Sequence, residues 1–184
     1  MAQITPFFAV RPAEKTADRV AALPYDVYNR EEAVREVGRE PMSFLKIDRA
    51  ETQFDDTVDT YDNRVYAKAK EIFEQMEQDG IYLTDPDSGY YIYQLTMDGR
   101  SQTGIVACAS VDDYLNNVIK KHENTREEKE LDRIRHVDTL GAQTGPIFLA
   151  YRSQEAINRI VNEVMEQTPL YQFTAVDDIA HTVW

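Results

Sequence analysis

The chain has 184 residues, of which 42% are hydrophobic and 29% charged, so it can form a folded domain and is not a largely disordered chain. Its 33 acidic and 20 basic residues give a formal net charge of −13, which disfavours general binding to nucleic acids or anionic membranes. The single cysteine, Cys108, excludes an internal disulfide and a thiolate metal site.

The amino terminus predicts neither a signal peptide nor a membrane span. It has no basic segment, and Thr5 and Pro6 interrupt its apolar run. No other window approaches the roughly 20 apolar residues that a membrane-spanning helix needs. We therefore expect a soluble cytoplasmic protein.

Strands and helices alternate irregularly along the chain. The predicted helices cover residues 17–23, 29–38, 58–79, 111–119, a segment that begins at 125, and 154–166. The predicted strands cover residues 4–10, 43–47, 90–97, 100–110, 147–151, 170–176 and 179–184. This order predicts a single α+β domain over residues 1–184, with a mixed β-sheet that contains one hairpin and is flanked by about five helices.

Asp98-Gly99 is the strongest turn signal in the sequence. The pair suits a two-residue type I′ turn, since both central residues of that turn need a positive φ. The second arm is apolar on both faces around Cys108, so we expect that cysteine to be a buried core residue.

The segment 120–136 differs from the rest of the chain in charge, because it has six Lys or Arg and five Asp or Glu. Thr125 and Glu128 form a capping-box pattern, which predicts that a helix starts at Thr125. The predicted helix carries a basic stripe formed by Arg126, Lys129, Arg133 and His136. Its adjoining side, which we expect to face the core, is formed by Leu131, Ile134 and Val137.

A helix amino terminus beside a basic stripe can bind phosphate, and His122 with Glu123 can transfer protons nearby. The same residues also fit a solvated helix face with weak ion pairs. Asp26 follows Pro24-Tyr25 and is a further candidate carboxylate, although an Asp in such a turn also bonds its own backbone. No Gly-rich phosphate-binding loop occurs in the sequence.

Seven motifs occur in one order and together resemble a known family. They are Ile4-x-Pro6-Phe7-x-Ala9-x-Arg11-Pro12, Ala22-x-Pro24-Tyr25-Asp26-Val27, Ser43-Phe44-Leu45, Gln102-Thr103-Gly104, Lys120-Lys121-His122-Glu123-x-Thr125, Asp132-Arg133 and Gly145-Pro146-Ile147-Phe148-Leu149. The set resembles the amino-terminal part of the domain of unknown function family 1015 and covers nearly the whole chain. The ordered set is far more specific than any single motif.

Members of that family are longer and carry an Asp-Gly-His-His-Arg motif downstream. That motif is similar to the phosphate-handling signature of ParB/sulfiredoxin-like proteins, some of which are nucleotide-dependent kinases of free serine. The present sequence lacks the motif and ends on an apolar stretch at Trp184, so we expect the native protein to continue beyond it. The resemblance thus implies a fold that is ParB/sulfiredoxin-like in part, and a chain that holds only part of an active site and is inactive alone.

These observations lead to the hypothesis of a partial phosphotransferase, a small hydroxy-metabolite kinase that is serine-kinase-like by analogy. In it, Lys120, Arg126 and Arg133 bind phosphate, while Asp26, Glu123 and His122 are the catalytic candidates. ATP or ADP with Mg²⁺ is the expected ligand, and no metal site made of protein ligands alone is expected. We further expect the imidazole of His122 and the guanidinium of Arg133 to converge on one anion pocket.

Two alternatives stay open. One is a non-catalytic ligand-binding or regulatory interaction domain, and the other is a DNA-binding ParB relative, which the acidity disfavours. The sequence leaves the substrate, the catalytic base and the oligomeric state open, including a homo-oligomer.

Overall fold

The structure is a computed structural model that describes residues 2–122 and 125–184. Its helices are Ala17–Val20 (α1), Arg30–Arg39 (α2), Leu45–Asp48 (α3), Asn63–Gln78 (α4), Val111–Leu115 (α5), Glu127–Leu140 (α6) and Glu155–Met165 (α7). Its strands are Ile4–Thr5 (β1), Val10–Pro12 (β2), Tyr82–Thr84 (β3), Tyr91–Met97 (β4), Arg100–Val106 (β5), Cys108–Ala109 (β6), Tyr171–Thr174 (β7) and Ala180–Val183 (β8). Short 3-10 turns cover Glu14–Thr16, Tyr25–Val27 and Ala50–Gln53. The chain is therefore an α+β protein, as the order of elements predicts.

The described residues group into two compact units. The sheet unit contains residues 2–18, 84–122 and 148–184, and the helical unit contains residues 19–83 and 125–147. The prediction of one domain over residues 1–184 stays a prediction. Among the helices described, none is both long enough and apolar enough to cross a membrane.

The core of the helical unit forms where α4 packs against α3 and α6. Val65, Ile72 and Met76 of α4 are buried there, as their helical spacing predicts. The helix begins at Asn63 rather than at 58, because the side chain of Asp62 caps it by accepting a hydrogen bond from the backbone N–H of Arg64. After the helix ends, Gly80 takes a positive φ of 69°, as predicted.

The start of α2 is stabilised by reciprocal capping bonds. The Asn29 side chain accepts from the backbone N–H of Glu32 at 2.9 Å, and the Glu32 carboxylate accepts from the backbone N–H of Asn29 at 2.8 Å. Asn29 is therefore the cap residue that the sequence predicts, and α2 extends one residue beyond Gly38.

The predicted strand at 43–47 is wrong, because this segment enters the short helix α3. Leu45 and Ile47 are almost fully buried in this helix. A short apolar run fits a buried helix as well as a buried strand, and here packing against α4 decides for the helix. The helix ends at Asp48.

A four-stranded antiparallel sheet forms the centre of the sheet unit, in the order β5-β4-β8-β7. Its hairpin is correctly predicted: Met97 pairs with Arg100, and Asp98 and Gly99 have φ of 51° and 75°. The predicted burial of the second arm is wrong, since β5 lies at the edge of the sheet and most of its residues are exposed. Cys108 is likewise exposed rather than a core residue.

The other predicted strands have mixed outcomes. The first, at 4–10, is divided into β1 and β2, while β7 and β8 lie within the extended segments predicted near the carboxyl terminus. The apolar run 147–151 has no regular secondary structure, and Phe148 is 79% exposed. An apolar run becomes a strand only where another strand supplies hydrogen-bond partners, and in the described residues this one has none.

Candidate functional site

The helical unit contains a cleft of about 410 Å³, formed by α3, α4, α6 and the two 3-10 turns Tyr25–Val27 and Ala50–Gln53. This volume lies within the range of small-molecule sites, roughly 300–1,000 Å³. Four aromatic side chains line it, those of Tyr25, Tyr28, Tyr61 and Tyr66. Ionisable groups lie among them, so the cleft combines apolar walls with concentrated charge.

The sheet unit has a cavity of about 320 Å³ beside β5 and α7. Its polar lining includes Thr103, Asn158 and Asn162, and none of its lining residues is charged. Since binding and catalysis of charged metabolites require charged or ionisable groups, the cleft in the helical unit is the better candidate site.

Among the described residues, helix α6 supplies two of the three cations in the cleft, Lys129 and Arg133. Lys129, Arg133 and His136 line it, so three members of the predicted basic stripe do lie on one face of the helix. The prediction that Leu131 and Ile134 face the core is wrong, because each is 48% exposed. The buried side of α6 is instead formed by Asp132, His136 and Leu140.

Asp132 can be buried in α6 because its carboxylate has hydrogen-bond partners. Asp132 accepts a hydrogen bond from the Tyr66 hydroxyl at 2.8 Å, and a second contact comes from Arg133 at 2.9 Å. Burial, together with this bond to Asp132, raises the pKa of Tyr66 to about 12. Buried polar groups with such partners avoid the cost of desolvation, and periodicity alone does not show those partners.

The predicted cap at Thr125 is also wrong. Helix α6 begins at Glu127, and Arg126 occupies the cap position without a capping bond from its side chain. Acidic residues in the first turn, among them Glu127 and Glu128, complement the positive end of the helix dipole instead.

Arg133 lies among three groups of the cleft. Its guanidinium contacts Asp132 at 2.9 Å and lies 3.6 Å from a carboxylate oxygen of Asp48. The same group lies over the ring of Tyr25, 4.6 Å from its centroid, in cation–π geometry. The side chain is 30% exposed, so part of the guanidinium stays accessible from the cleft.

Lys129 is the second cation on this face. Its ammonium donates to the Tyr61 hydroxyl at 3.2 Å and lies 5.8 Å from the centroid of that ring. The bond to Tyr61 raises the pKa of Lys129, so the ammonium stays charged at neutral pH. Within residues 2–122 and 125–184, no carboxylate lies within ion-pair distance of Lys129.

Arg49 has a structural role at the edge of the cleft. Its guanidinium donates to the backbone carbonyls of Tyr25 at 2.9 Å and Tyr28 at 2.7 Å, and it also pairs with Glu51. These bonds hold the turn Tyr25–Val27, and thereby place Tyr25 and Asp26 at the cleft.

Burial also shifts the pKa values of Asp48 and His136, two further ionisable groups that line the cleft. Burial raises the pKa of Asp48 to about 6, against the opposing effect of Arg133, and burial lowers the pKa of His136. A buried group with a shifted pKa, a specific charged partner and a place in a cleft is typical of a functional site.

The structure brings together two of the residues predicted for the site, since Asp26 and Arg133 both line the cleft. Arg126 does not line it, and pairs with Glu128 on the surface of α6. Lys120 and His122 are exposed residues of the sheet unit, and Glu123 lies outside the described residues. The convergence of His122 with Arg133 therefore stays a prediction.

Sequence reasoning did not assign a role to Lys129, His136 or Asp48. The first two were visible as members of the basic stripe, but nothing in their spacing showed which members of that stripe line a cleft. Asp48 had no signal, because the segment before it was predicted as a strand and its burial depends on packing.

No group of three His, Cys, Asp or Glu side chains is arranged to hold a metal ion in the described ranges 2–122 and 125–184. A nucleotide-bound Mg²⁺ takes most of its ligands from phosphate and water, with one or two protein carboxylates. The exposed carboxylate of Asp26 at the cleft fits that requirement.

Comparison with curated proteins found no match, and comparison with solved structures found none either. A family model described as "Protein of unknown function (DUF1015)" matches residues 4–184. This match confirms the resemblance that the ordered motifs predict, while the relation to ParB/sulfiredoxin-like proteins stays a prediction. The chain belongs to the DUF1015 family.

Proposed function

We propose that the cleft in the helical unit binds a nucleotide or a phosphorylated metabolite, and that the intact protein transfers a phosphoryl group to a small hydroxy-metabolite. The observation that carries this proposal is the pair Lys129 and Arg133, one helical turn apart and both facing the cleft. Phosphoryl transfer depends mainly on positioning and on neutralising charge, which two convergent cations can supply.

The ammonium group of Lys129, which has no carboxylate partner among the described residues, supports a site for an added anion. Lys129 contacts the Tyr61 hydroxyl and no described carboxylate, whereas Arg133 already contacts Asp132. A phosphate group placed beside α6 would give Lys129 an opposite charge within ion-pair distance, which no described carboxylate supplies.

The aromatic lining supports a ligand with a flat apolar part. Tyr25 and Tyr61 each lie beside one of the two cations, at 4.6 Å for Arg133 and 5.8 Å for Lys129. Rings next to cations suit a nucleotide, since its base can stack on an aromatic ring while its phosphates reach the charges. Mg²⁺ would neutralise phosphate charge, and the exposed carboxylate of Asp26 at the cleft would be its protein ligand.

Calorimetric titration of the full chain with ADP and with ATP plus Mg²⁺ tests the binding. Lys129→Gln and Arg133→Gln should each weaken binding about tenfold or more, since a charge-assisted hydrogen bond contributes roughly 1.5–3 kcal/mol. The control is Arg126→Gln, which removes a cation of the same helix that lies outside the cleft and should not change the affinity. Equal losses in all three variants would contradict a specific site.

Lys120→Gln and His122→Gln test the residues of the sheet unit that the sequence predicts. A loss of affinity in these variants would support their predicted role in phosphate binding. Unchanged affinity would confine the site to the helical unit.

A regulatory ligand-binding function is the second candidate, and the ion pairing of Arg133 favours it. A bound phosphate would compete with Asp132 and Asp48 for this guanidinium, so ligand binding would alter contacts between α3 and α6. Incubation of the intact protein with ATP, Mg²⁺ and serine separates the two functions: formation of ADP and a phosphorylated product supports the enzyme, and binding without turnover supports the regulator.

A further inference from the structure

Asp48 offers a hydrogen-bond acceptor inside the cleft that no described residue uses. Its side chain is 14% exposed, and its Oδ1 atom is buried without a hydrogen-bond donor among the described residues. Arg133 at 3.6 Å and His136 at 3.9 Å supply nearby groups but no hydrogen bond to this oxygen. A buried acceptor without a donor is a costly arrangement unless a ligand or water supplies one.

A second buried group near Asp48 shows the same feature. The hydroxyl of Tyr82 has no partner among the described residues, although the residue is only 5% exposed. Burial and the charge of Asp48 raise the pKa of Tyr82, so its hydroxyl keeps its proton. The charged and titratable groups that act on Asp48 are thus Arg133, Asp132, His136 and Tyr82.

Thr144 lies between Asp48 and the imidazole of His136. The Nε2 atom of His136 is 3.3 Å from the Ile47 carbonyl oxygen, which can only accept, so this nitrogen carries a hydrogen. The Nδ1 atom is 3.3 Å from the hydroxyl oxygen of Thr144, and the same hydroxyl acts on Asp48 in the direction that lowers the pKa of its carboxyl group. A hydroxyl both donates and accepts, so it can connect the carboxyl group to the ring.

The pKa values of the two end groups are shifted in opposite directions. Burial raises the pKa of Asp48 to about 6, and burial together with Arg133 lowers the pKa of His136. With a pKa of about 6, Asp48 is mainly a carboxylate at neutral pH and can accept a proton there.

We propose that Asp48 accepts the proton of a hydroxyl-bearing ligand in the cleft, and that Thr144 and His136 form its proton relay. This proposal rests on the proposed function, because it assigns the base for phosphoryl transfer to a hydroxyl acceptor. Asp48 would be a catalytic residue, while Thr144 and His136 act through it.

The acceptor oxygen forms a bond to the terminal phosphorus of a nucleoside triphosphate, and the bond from that phosphorus to the bridging oxygen breaks, leaving a nucleoside diphosphate. The acceptor hydroxyl proton goes to Asp48. Asp48 then gives a proton to the Thr144 oxygen as the Thr144 hydroxyl gives its own to Nδ1 of His136, which leaves a carboxylate, a hydroxyl and an imidazolium.

The relay can be tested in the free protein by NMR titration of the Asp carboxyl carbons and the His ring nitrogens. Asp48→Asn and His136→Gln assign the two signals. We expect the Asp48 carboxyl group to titrate near pH 6, and the Nδ1 signal of His136 to respond in the same titration. Thr144→Val should remove that response, and Thr144→Ser, which keeps the hydroxyl, should retain it. Titration of Asp48 near its ordinary value of 3.8, or an unchanged response in Thr144→Val, would overturn the relay.

Kinetics with ATP, Mg²⁺ and serine or glycerol test the catalytic role. Asp48→Asn should lower the rate of phosphoryl transfer about a hundredfold or more, the usual contribution of a general base. Its affinity for ADP should stay the same or increase, because a negative charge beside Arg133 is removed. A variant that keeps the native rate, or that loses ADP affinity, would contradict the assignment.

The two sets of experiments separate the two proposals. If the native chain binds no ADP, the proposed function fails, and the NMR titration still decides whether the relay exists. If ADP binds but Asp48 titrates near its ordinary value, the relay alone fails. Should Asp48→Asn not fold, the comparison of Thr144→Val with Thr144→Ser provides the independent test.

Discussion

The two units each contain an arginine, an aspartate and tyrosines in contact, but the two clusters differ in how their hydrogen bonds are completed. In the sheet unit, Arg11 donates to both carboxylate oxygens of Asp85 at 2.8 Å. In the helical unit, Arg133 approaches Asp48 only to 3.6 Å. The side chains of the two aspartates are equally exposed, at 14% each.

The pKa values of the two aspartates follow from those bonds. Burial acts to raise the pKa of Asp85, but hydrogen bonds from Arg11 and Tyr91 outweigh it and lower the pKa overall. Burial dominates at Asp48, where the charge of Arg133 compensates only in part, and the pKa rises to about 6. Direct hydrogen bonds thus offset the burial of Asp85, whereas a nearby cation without such bonds does not offset the burial of Asp48.

In the sheet unit, the members of the Arg11–Asp85 cluster form hydrogen bonds with one another and with the backbone. Arg11 donates a further bond to the Tyr171 hydroxyl at 2.7 Å, and that hydroxyl donates to the carbonyl of Pro12. A network whose members all have partners stabilises the fold and leaves no group for a ligand. In the cluster around Asp48, the Oδ1 atom has no hydrogen-bond donor among the described residues, so it is free to bind a ligand.

Replacing the arginines tests this comparison most strongly. Arg11→Gln should lower the free energy of unfolding by about 2 kcal/mol, because it leaves the partly buried Asp85 without its main donor. Arg133→Gln should cost about 1 kcal/mol, since Asp48 can take up a proton and Asp132 keeps its bond to Tyr66. Urea unfolding at neutral pH measures both, and equal losses would show that the clusters have the same structural role.

The pH dependence of stability should have opposite signs for the two aspartates. The pKa of Asp48 is raised from 3.8 to about 6 in the folded state, so the folded protein binds more protons and its free energy of unfolding falls as pH rises through this window. The loss is at most about 3 kcal/mol, and we expect about 2 because the group is not fully buried. The pKa of Asp85 is lowered, so its contribution is present above 3.8 and is lost as pH falls below it.

Urea unfolding of Asp48→Asn and Asp85→Asn between about pH 3 and 7 measures these slopes against the native chain. Relative to the native chain, Asp48→Asn should become more stable as pH rises, and Asp85→Asn should become less stable. Asp138→Asn, an exposed change on α6, serves as the control and should leave the curve unchanged. Parallel curves for all variants would refute the assigned shifts.

The tyrosine hydroxyls allow a finer comparison. Tyr66→Phe should cost about 1.5 kcal/mol, because the buried Asp132 then depends on Arg133 alone. Tyr91→Phe should cost about 1 kcal/mol, since Asp85 keeps both bonds from Arg11. Tyr90→Phe is the matched control, because that residue is half exposed and its hydroxyl makes only a contact of 3.4 Å. Thermal unfolding compares the three, and a loss in Tyr90→Phe as large as the others would contradict this ranking.

The smallest expected effect concerns the helices around the cleft. Asn29→Ala should cost about 1 kcal/mol, because Asn29 caps α2 with two reciprocal bonds. Thr125→Ala should have almost no effect, because Thr125 is not the cap of α6. Circular dichroism during urea unfolding measures both, and a clear loss in Thr125→Ala would restore the capping box that the sequence predicts.

The parts of the fold that depend on neighbouring residues could be predicted from the sequence. The turn at Asp98-Gly99 requires residues that accept positive φ, and the cap at Asn29 requires a side chain that bonds the N–H three residues on. The apolar residues of α4 follow the helical period, so their spacing alone predicts which side of the helix is buried. In each case the physical cause lies within a few residues of chain.

The candidate site was predictable only in part, because its groups come from separate segments. The basic stripe of α6 showed Arg133, and the Pro24-Tyr25-Asp26 turn showed Asp26. The sequence could not show that Arg49 holds that turn, or that Tyr66 makes the burial of Asp132 possible. Those partners are many residues apart in the chain.

The sequence by itself determined the acidity of the protein, its α+β class, its main helices, its hairpin and its family. The tertiary structure alone decided that α6 buries Asp132 and His136 in place of Leu131 and Ile134, and that α3 ends with Asp48 inside a cleft. The reason is that helix periodicity counts apolar residues, whereas the free energy of burying a charged group depends on hydrogen-bond partners that only folding brings together.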